Sequence, residues 1–166
     1  MKNLSLFLAC FSASAAMAGT HKVTYEIPVP EALEPFSRFE VEYSAESQPG
    51  GDTEVSYHLP AFVLGSEHVF RFRGQVDFSA RHFDLHGRDA GMRCVPGAEE
   101  ATCRVSYSNV KVDLDKVQEA LDAMPITPAE KIGRFEVASM IARSGGDFAG
   151  IIRLVKEPGY EQRRQK

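Results

Sequence analysis

The chain has 166 residues, with 19 Lys and Arg against 23 Asp and Glu, and its formal net charge is −4. This length suits a single domain, and 43% hydrophobic residues are enough for a packed core. A net negative charge without a basic stripe disfavours nucleic-acid binding, and it disfavours membrane-surface binding through charge alone.

The start of the chain has the anatomy of a secretory signal peptide. A positive start (Met1-Lys2) and an apolar run at 4–11 precede Ala-Met-Ala at 16–18, which is a small-x-small cleavage site. The apolar run is much shorter than the ~20 residues that cross a bilayer, so we expect no transmembrane segment in the mature chain. We predict a periplasmic or secreted protein with a cleaved leader over 1–18, one domain over 19–157 and a flexible polar tail over 158–166.

Cysteine spacing predicts a disulfide bond in the domain. Cys94 and Cys103 remain after cleavage, because Cys10 lies inside the leader, where it leaves a lipoprotein-type signal as an alternative. An even cysteine count in an exported chain is typical of a disulfide framework. The spacing is not Cys-x-x-Cys, which favours a structural bond over a redox pair.

Alternation of apolar and polar residues predicts strands in the first part of the chain. A strand at 23–27 ends before a proline-containing connector at 28–35. Strands at 39–45 and 55–59 flank Gln48–Asp52, which is the strongest turn signal in the sequence. These two strands are therefore expected to form a hairpin.

The stretch 70–112 predicts three further antiparallel strands. Apolar residues fall on even numbers over 70–78 and on odd numbers at Phe83 and Leu85. A hairpin with an even-length loop around Ser79-Ala80 produces this change of phase. The resulting register makes four pairs of residues face each other: Val76 and Phe83, Gly74 and Leu85, Asp77 and His82, and Arg73 and His86.

A second register follows if Cys94 and Cys103 face each other. The two strands that carry them both change apolar phase, one near Arg88 and the other near Asn109. We interpret the matched changes as one bulge that crosses both strands. The pairs that this register predicts are Met92 with Val105, Ala90 with Tyr107, Gly87 with Val110 and Leu85 with Val112.

Helices are predicted after these strands. Apolar residues recur at helical spacing over 114–124, behind Asp113 as a good N-cap residue. Thr127–Glu130 is a capping box with proline at the first helical position, and Ser144–Gly146 closes this second helix. A final strand at 148–155 is apolar on both faces, which places it inside the sheet.

These elements predict an α+β fold. We expect a single meandering, mostly antiparallel β-sheet of about seven strands, covered on one face by the two C-terminal helices. A closed β-barrel with a helix is the alternative, because seven strands could wrap around an interior. The long capped helix favours the open sheet.

The sequence carries no familiar catalytic motif. It has no Gly-x-Ser-x-Gly elbow, His-Glu-x-x-His, P-loop or dinucleotide fingerprint. A cysteine nucleophile is disfavoured if both mature cysteines are bridged. We therefore expect a protein that is not an enzyme and that requires no cofactor.

One strand carries a pattern that could bind a metal ion. His82, Asp84 and His86 alternate and point to one face, and the predicted register places Arg73 beside them. Two imidazoles at this spacing can share a zinc ion, whereas the arginine would favour an anion. The same positions form the polar side of an amphipathic sheet, so the interpretation that we favour is a solvated, ion-paired face.

Two other surfaces are candidates for binding. Glu99 and Glu100 lie on the loop that the predicted disulfide closes, where they could contact a protein partner. The apolar run 59–64 could form the rim of a pocket between sheet and helices, and ordinary core packing is the other interpretation. The candidate pocket residues are Phe62, Leu64, Phe72, Phe135 and Ile141.

We expect the function of an exported binding protein of the cell envelope, whose partner is a protein and whose role is of the accessory or inhibitor type. One alternative is a periplasmic carrier of a lipid or another apolar ligand held between sheet and helix. The other is a metal-binding protein that uses the His-x-Asp-x-His strand.

Overall fold

The computed structural model describes residues 20–88 and 90–156. The predicted signal peptide (1–18) and the predicted polar tail (158–166) lie outside these residues, so both remain predictions.

Eight antiparallel strands form a closed barrel in which each strand pairs with its neighbours in sequence and the last strand pairs with the first. The expected open sheet is therefore wrong, and the alternative of a closed barrel with helices is confirmed. Closure gives both edge strands of the sheet a partner, because the final strand has a neighbour on each side. The strands are β1 (Thr20–Glu26), β2 (Arg38–Ser47), β3 (Thr53–Leu59), β4 (His68–Asp77), β5 (His82–Gly87), β6 (Ala90–Pro96), β7 (Glu100–Tyr107) and β8 (Phe148–Val155).

Alternate residues of the strands point into the barrel and fill it. In β7, for example, buried and exposed side chains alternate without exception. An eight-stranded barrel has an interior just wide enough for side chains, so these residues form a packed core. Burying each large apolar side chain contributes roughly 1.5–3 kcal/mol. The largest side chains that are fully buried include Tyr25, Tyr43, Tyr57, Phe72, Leu59, Val105 and Ile152.

The two predicted registers hold across most of their length. All four predicted pairs between β4 and β5 are present. Cys94 and Cys103 face each other and form the predicted disulfide bond, and the pairs of Met92 with Val105 and Ala90 with Tyr107 are also confirmed. The loop between β4 and β5 lacks glycine and asparagine. Instead, the Asp77 carboxylate accepts a hydrogen bond from the Ala80 amide at 3.0 Å, and Arg81 adopts a φ of 54°.

The predicted bulge that crosses two strands is wrong. The chain reverses direction after Gly87, so that β5 and β6 form a hairpin with His86 opposite Gly91, and β7 ends at Tyr107. Residues 108–113 then leave the sheet, and the expected pairs of Gly87 with Val110 and of Leu85 with Val112 do not form. A tight reversal and a bulge both change the phase of apolar alternation, which is why the sequence pattern did not distinguish them.

Two junctions in the barrel are much shorter than the others. Among the described residues, only His86 and Gly91 are paired between β5 and β6, and only Glu26 and Ile151 between β1 and β8. Every other pair of neighbouring strands has five to eight paired positions. The barrel therefore consists of a five-stranded half (β1–β5) and a three-stranded half (β6–β8), and the disulfide bond lies within the smaller half.

Helical segments gather at one end of the barrel, which we call the capped end. They lie in the β1–β2, β3–β4 and β7–β8 connections, which all open toward this end because the strands alternate in direction. Val117, Leu121 and Ala138 form a small second core between the helices. The helical segments are a 3-10 helix (Glu31–Phe36), α1 (Ala61–Leu64), α2 (Leu114–Asp122) and α3 (Pro128–Arg143).

The predicted helix caps are confirmed. The Asp113 carboxylate accepts a hydrogen bond from the Lys116 amide at 3.2 Å, and the Thr127 hydroxyl accepts one from the Glu130 amide at 3.2 Å. Such caps satisfy amide groups that have no partner in the first turn of a helix. None of the helices within 20–88 and 90–156 is long and apolar enough to cross a membrane.

We predict that Gly150→Ala destabilises the barrel. Gly150 in β8 is buried, and a Cβ atom at this position would overlap the phenol group of Tyr25 on the neighbouring strand. Overpacking of a filled core costs about 1–3 kcal/mol, so the free energy of unfolding measured by urea denaturation should fall by at least that amount.

Gly91→Ala is the matched control, since a Cβ atom there would meet nothing within 4 Å. It should change the free energy of unfolding by less than about 0.5 kcal/mol. Equal destabilisation by the two substitutions would show that the interior does not depend on the close approach of Gly150 and Tyr25.

Candidate functional site

An open cavity of about 720 Å³ lies at the capped end of the barrel. We call it the mouth cavity. It is bordered by the start of β4, the turn between β5 and β6, the end of β7, and residues 108–111. No residue of α1, α2 or α3 is among the described residues that line it, so it opens beside the helical cap rather than beneath it.

The cavity exists because strand pairing ends early on this side. Phe72 of β4 pairs with Gly87, the last residue of β5, so residues 68–71 of β4 have no partner on β5. Across the gap, Tyr107 at the end of β7 pairs with Ala90, the first residue of β6. The opening therefore lies over the short junction between β5 and β6.

Aromatic rings form the floor of the mouth cavity. The rings of Phe70 and Tyr107 lie 4.5 Å apart between centroids, and the His68 ring stacks on Phe70 at 6.0 Å. Tyr107 also stacks on Phe148, at 4.5 Å. Phe70 and His68 are only partly buried, so the floor offers apolar area to a ligand.

Cationic side chains border the opening. Arg71, Arg88 and Lys111 are all exposed and line the cavity from β4, from the β5–β6 turn and from the segment after β7. No Asp or Glu occurs among the described lining residues. Asp89, which follows Arg88 in sequence, lies outside the described residues.

Hydrogen bonds fix the segment that carries Lys111. The Val110 amide donates to the Gly146 carbonyl at 3.0 Å, and the Asn109 amide donates to the Asp147 carboxylate at 3.0 Å. Gly146 has a φ of 81°, and a Cβ atom there would overlap the backbone of Val110. The glycine pair after α3 therefore ends the helix and also permits this close contact.

A cluster of tyrosine hydroxyl groups lies inside the barrel behind the cavity floor. The Tyr25 hydroxyl donates a hydrogen bond to the Tyr107 hydroxyl at 3.3 Å. The Tyr57 ring lies 5.7 Å from that of Tyr25, but its buried hydroxyl has no hydrogen-bond partner among the described residues. Burial raises the pKa of both Tyr25 and Tyr57, and the neighbouring Tyr25 adds to the rise at Tyr57. Both groups are therefore neutral at physiological pH.

The five predicted pocket residues do not surround one pocket. Phe72 lines the mouth cavity, and Leu64 lines an adjacent groove of about 590 Å³ that shares His68 and Lys111 with it. Ile141 is fully buried in the main core, and Phe135 packs in the core between the helices.

Phe62 lies where the predicted pocket between sheet and helices would begin. Its ring packs against Phe39 at 5.1 Å and beneath the Arg134 guanidinium at 4.7 Å. The space left there is about 10 Å³, which is at most room for one water molecule.

Several lining residues were not predicted from the sequence. Phe70 and Tyr107 were placed on strands, but nothing in the local pattern showed that pairing would end beside them. The incorrect register did contain one useful signal, because it brought Gly87 near Val110, and both residues line the mouth cavity.

The candidate metal residues lie on the outer face of the barrel. His82, Asp84 and His86 are exposed on β5, and the His86 Nε2 atom lies 2.5 Å from the Asp84 carboxylate. Arg73 on β4 lies opposite His86 in the strand register, and its Nε atom is 3.8 Å from the Asp52 carboxylate. The part of the chain that the structure describes contains no group of three His, Cys, Asp or Glu residues placed to hold a metal ion. The zinc hypothesis stays a prediction.

The loop with Glu99 and Glu100 lies at the end of the barrel opposite the cap. The Glu100 carbonyl accepts a hydrogen bond from the Gly97 amide at 2.9 Å, and the Glu99 carbonyl accepts one from the Lys156 amide at 2.8 Å. The Glu100 carboxylate lies 4.0 Å from the Arg153 guanidinium. Both glutamate side chains are exposed, Glu99 on the loop and Glu100 at the start of β7, and backbone hydrogen bonds hold this segment in place.

Comparison of the chain with known protein families, with curated proteins and with solved structures found no match.

We predict opposite effects from removing two buried tyrosine hydroxyl groups. Tyr57→Phe removes a hydroxyl that has no described partner, so the free energy of unfolding should stay unchanged or rise by up to about 1 kcal/mol. Tyr43→Phe removes a hydroxyl that accepts a hydrogen bond from the Val155 amide at 3.0 Å, so it should cost about 1 kcal/mol.

Urea denaturation at pH 7 measures both values, and each variant controls for the loss of one hydroxyl from the same type of buried ring. A loss of more than about 1 kcal/mol in Tyr57→Phe would show that this hydroxyl has a bound partner in solution.

Proposed function

We propose that this chain is an exported binding protein that holds a small ligand with an apolar body in the mouth cavity. The observation that carries the proposal is the aromatic floor of Phe70 and Tyr107 in an open cavity of about 720 Å³. Ligand sites typically have volumes of about 300–1,000 Å³, and the mouths of β-barrels are common positions for them.

The packing of the barrel restricts where such a ligand can lie. Tyr25, Tyr57 and Phe72 are fully buried and occupy the interior. The space under the helices beside Phe62 is too small for a ligand. These observations support binding at the mouth. They do not favour the space between sheet and helix, where the carrier hypothesis places the ligand.

The rim supports binding without a large rearrangement. The segment after β7 is held by hydrogen bonds to residues 146 and 147 on one side, and the Asp113 amide donates to the Leu64 carbonyl at 2.9 Å on the other. A site that is already ordered loses less conformational entropy when it binds a ligand.

Titration with the neutral fluorescent probe N-phenyl-1-naphthylamine tests the proposal. We expect saturable binding to one site, because the naphthalene rings can stack on the aromatic floor. Phe70→Ala should weaken the probe about tenfold, since loss of one aromatic contact costs about 1.4 kcal/mol.

Phe83→Ala is the matched control, because Phe83 is also a half-buried phenylalanine of the barrel, in contact with Phe78 at the opposite end. It should leave the affinity for the probe unchanged. Circular dichroism confirms that both variants are folded. Absence of saturable binding, or equal weakening by the two variants, would contradict the proposal.

A second candidate function is binding of a protein partner by the Glu99–Glu100 loop. The specific observation in its favour is Val95, whose exposed fraction of 72% is the highest among the exposed large hydrophobic residues described. It lies beside a loop that is anchored by backbone hydrogen bonds and by the disulfide bond. Function concentrates on loops that a rigid scaffold holds in place.

Affinity capture from a cell-envelope extract tests this second candidate. A partner recovered with the wild-type protein should be lost with Glu99→Lys plus Glu100→Lys. The control is Glu46→Lys plus Glu54→Lys, which reverses two carboxylates that pair across β2 and β3. Recovery of no partner, or equal loss with both double variants, would count against the loop.

A further inference from the structure

We infer that the ligand of the mouth cavity is an amphipathic anion, with an apolar body on the aromatic floor and an anionic group held by Arg71, Arg88 and Lys111. This inference rests on the proposed function, because it specifies the class of ligand for the same site.

The sign of the charge at the cavity is the first argument. The whole chain has a net charge of −4, yet the described residues that line the mouth cavity include two arginines, one lysine and one histidine, and none is acidic. A cleft bordered by one sign of charge attracts ligands of the opposite sign. The local excess of positive charge therefore favours an anion over a neutral or cationic ligand.

The second argument is that these cations form no ion pair with any residue that the structure describes. The ion pairs within 20–88 and 90–156 involve other basic residues: Arg38, Arg73, His86, Lys131, Arg143 and Arg153. Arg71, Arg88 and Lys111 form no ion pair with a described residue. They can therefore turn toward a bound anion without breaking an existing pair.

Their placement is the third argument. The three cations come from three separate segments that line one cavity, and Phe70 and Tyr107 line the same cavity. An arginine can donate two parallel hydrogen bonds to a carboxylate, sulfonate or phosphate group. A ligand with such a group at the rim would place its apolar body against Phe70, which is only partly buried, so that apolar surface is removed from water.

The adjacent groove of about 590 Å³, which Leu64 lines, does not have this excess of positive charge. Asp113 and Asp115 line it together with Lys111 and Lys116, so its charges are mixed. Of these two cavities, only the mouth cavity has an excess of positive charge among its described lining residues, and we place the anionic group there.

The test uses two probes that share one ring system. 8-Anilinonaphthalene-1-sulfonate carries a sulfonate, and N-phenyl-1-naphthylamine has the same rings without it. We expect the sulfonate probe to bind at least tenfold more tightly at low salt, and we expect this difference to shrink in 0.5 M NaCl because salt screens exposed charges. Sodium dodecanoate and dodecyl phosphate should displace the sulfonate probe, and the stronger competitor identifies the preferred headgroup.

The variant Arg71→Gln plus Arg88→Gln should weaken the sulfonate probe at least fivefold and change the affinity of the neutral probe less than twofold. The matched control is Arg93→Gln plus Arg104→Gln, which removes the same charge from two exposed arginines that face each other on β6 and β7. The control should leave both affinities within twofold of the wild-type values.

Each outcome separates the inference from the proposed function. Binding of both probes with equal affinity would overturn the anion inference and leave the proposed function in place, whereas failure of both probes to bind would overturn the proposed function itself. Equal weakening by the two double variants would overturn the assignment of Arg71 and Arg88, because it would show an effect of net charge alone.

Discussion

Aromatic rings fill the interior of the barrel and thereby determine where a ligand or a partner can bind. Tyr25, Tyr57 and Phe72 come from three different strands and contact one another in series, with centroid distances of 5.7 and 6.1 Å. Tyr107 joins this group from the opposite half of the barrel through its hydroxyl contact with Tyr25. Because an eight-stranded barrel has room for little more than its own side chains, these buried rings fill much of its interior. A ligand or a partner must therefore bind at one of the two ends or on the outer surface.

The two ends differ because of how the strands are connected. Short turns join the strands at one end, and the helical segments lie at the other. Hydrogen bonding between strands is least extensive at β5–β6 and at β1–β8, and the mouth cavity lies at the first of these junctions. At the same place β4 extends past the end of β5, since Phe72 pairs with the last residue of β5, and Phe70 stays only partly buried. The mouth cavity therefore results from incomplete strand pairing and not from an added domain.

Local features of this fold could be predicted from the sequence, whereas closure could not. The hairpin register of β4 and β5, the facing cysteines and the caps at Asp113 and Thr127 all depend on residues that lie near one another in sequence. Closure depends on β1 and β8, which lie at opposite ends of the described chain and share only the pair of Glu26 and Ile151. No periodicity within either strand indicates which distant strand it will meet.

The candidate site was the least predictable part for a related reason. Its residues come from three segments that are separated in sequence, and Arg71 and Lys111 resemble any other exposed cation when they are read along the chain. The phase change at 88–89 was visible, but a reversal and a bulge leave the same mark on the alternation. The structure was needed to show that the strand ends there and that a cavity opens as a result.

The direction of the first and last strands has a practical consequence for handling the protein. β1 runs toward the capped end and β8 runs away from it, so the chain enters the barrel and leaves it at the end opposite the mouth cavity. The start of β1 and the end of β8, which a tether or fusion would extend, therefore both lie away from the cavity. The barrel can thus be immobilised on a sensor surface, or displayed on another protein, without obstructing the opening.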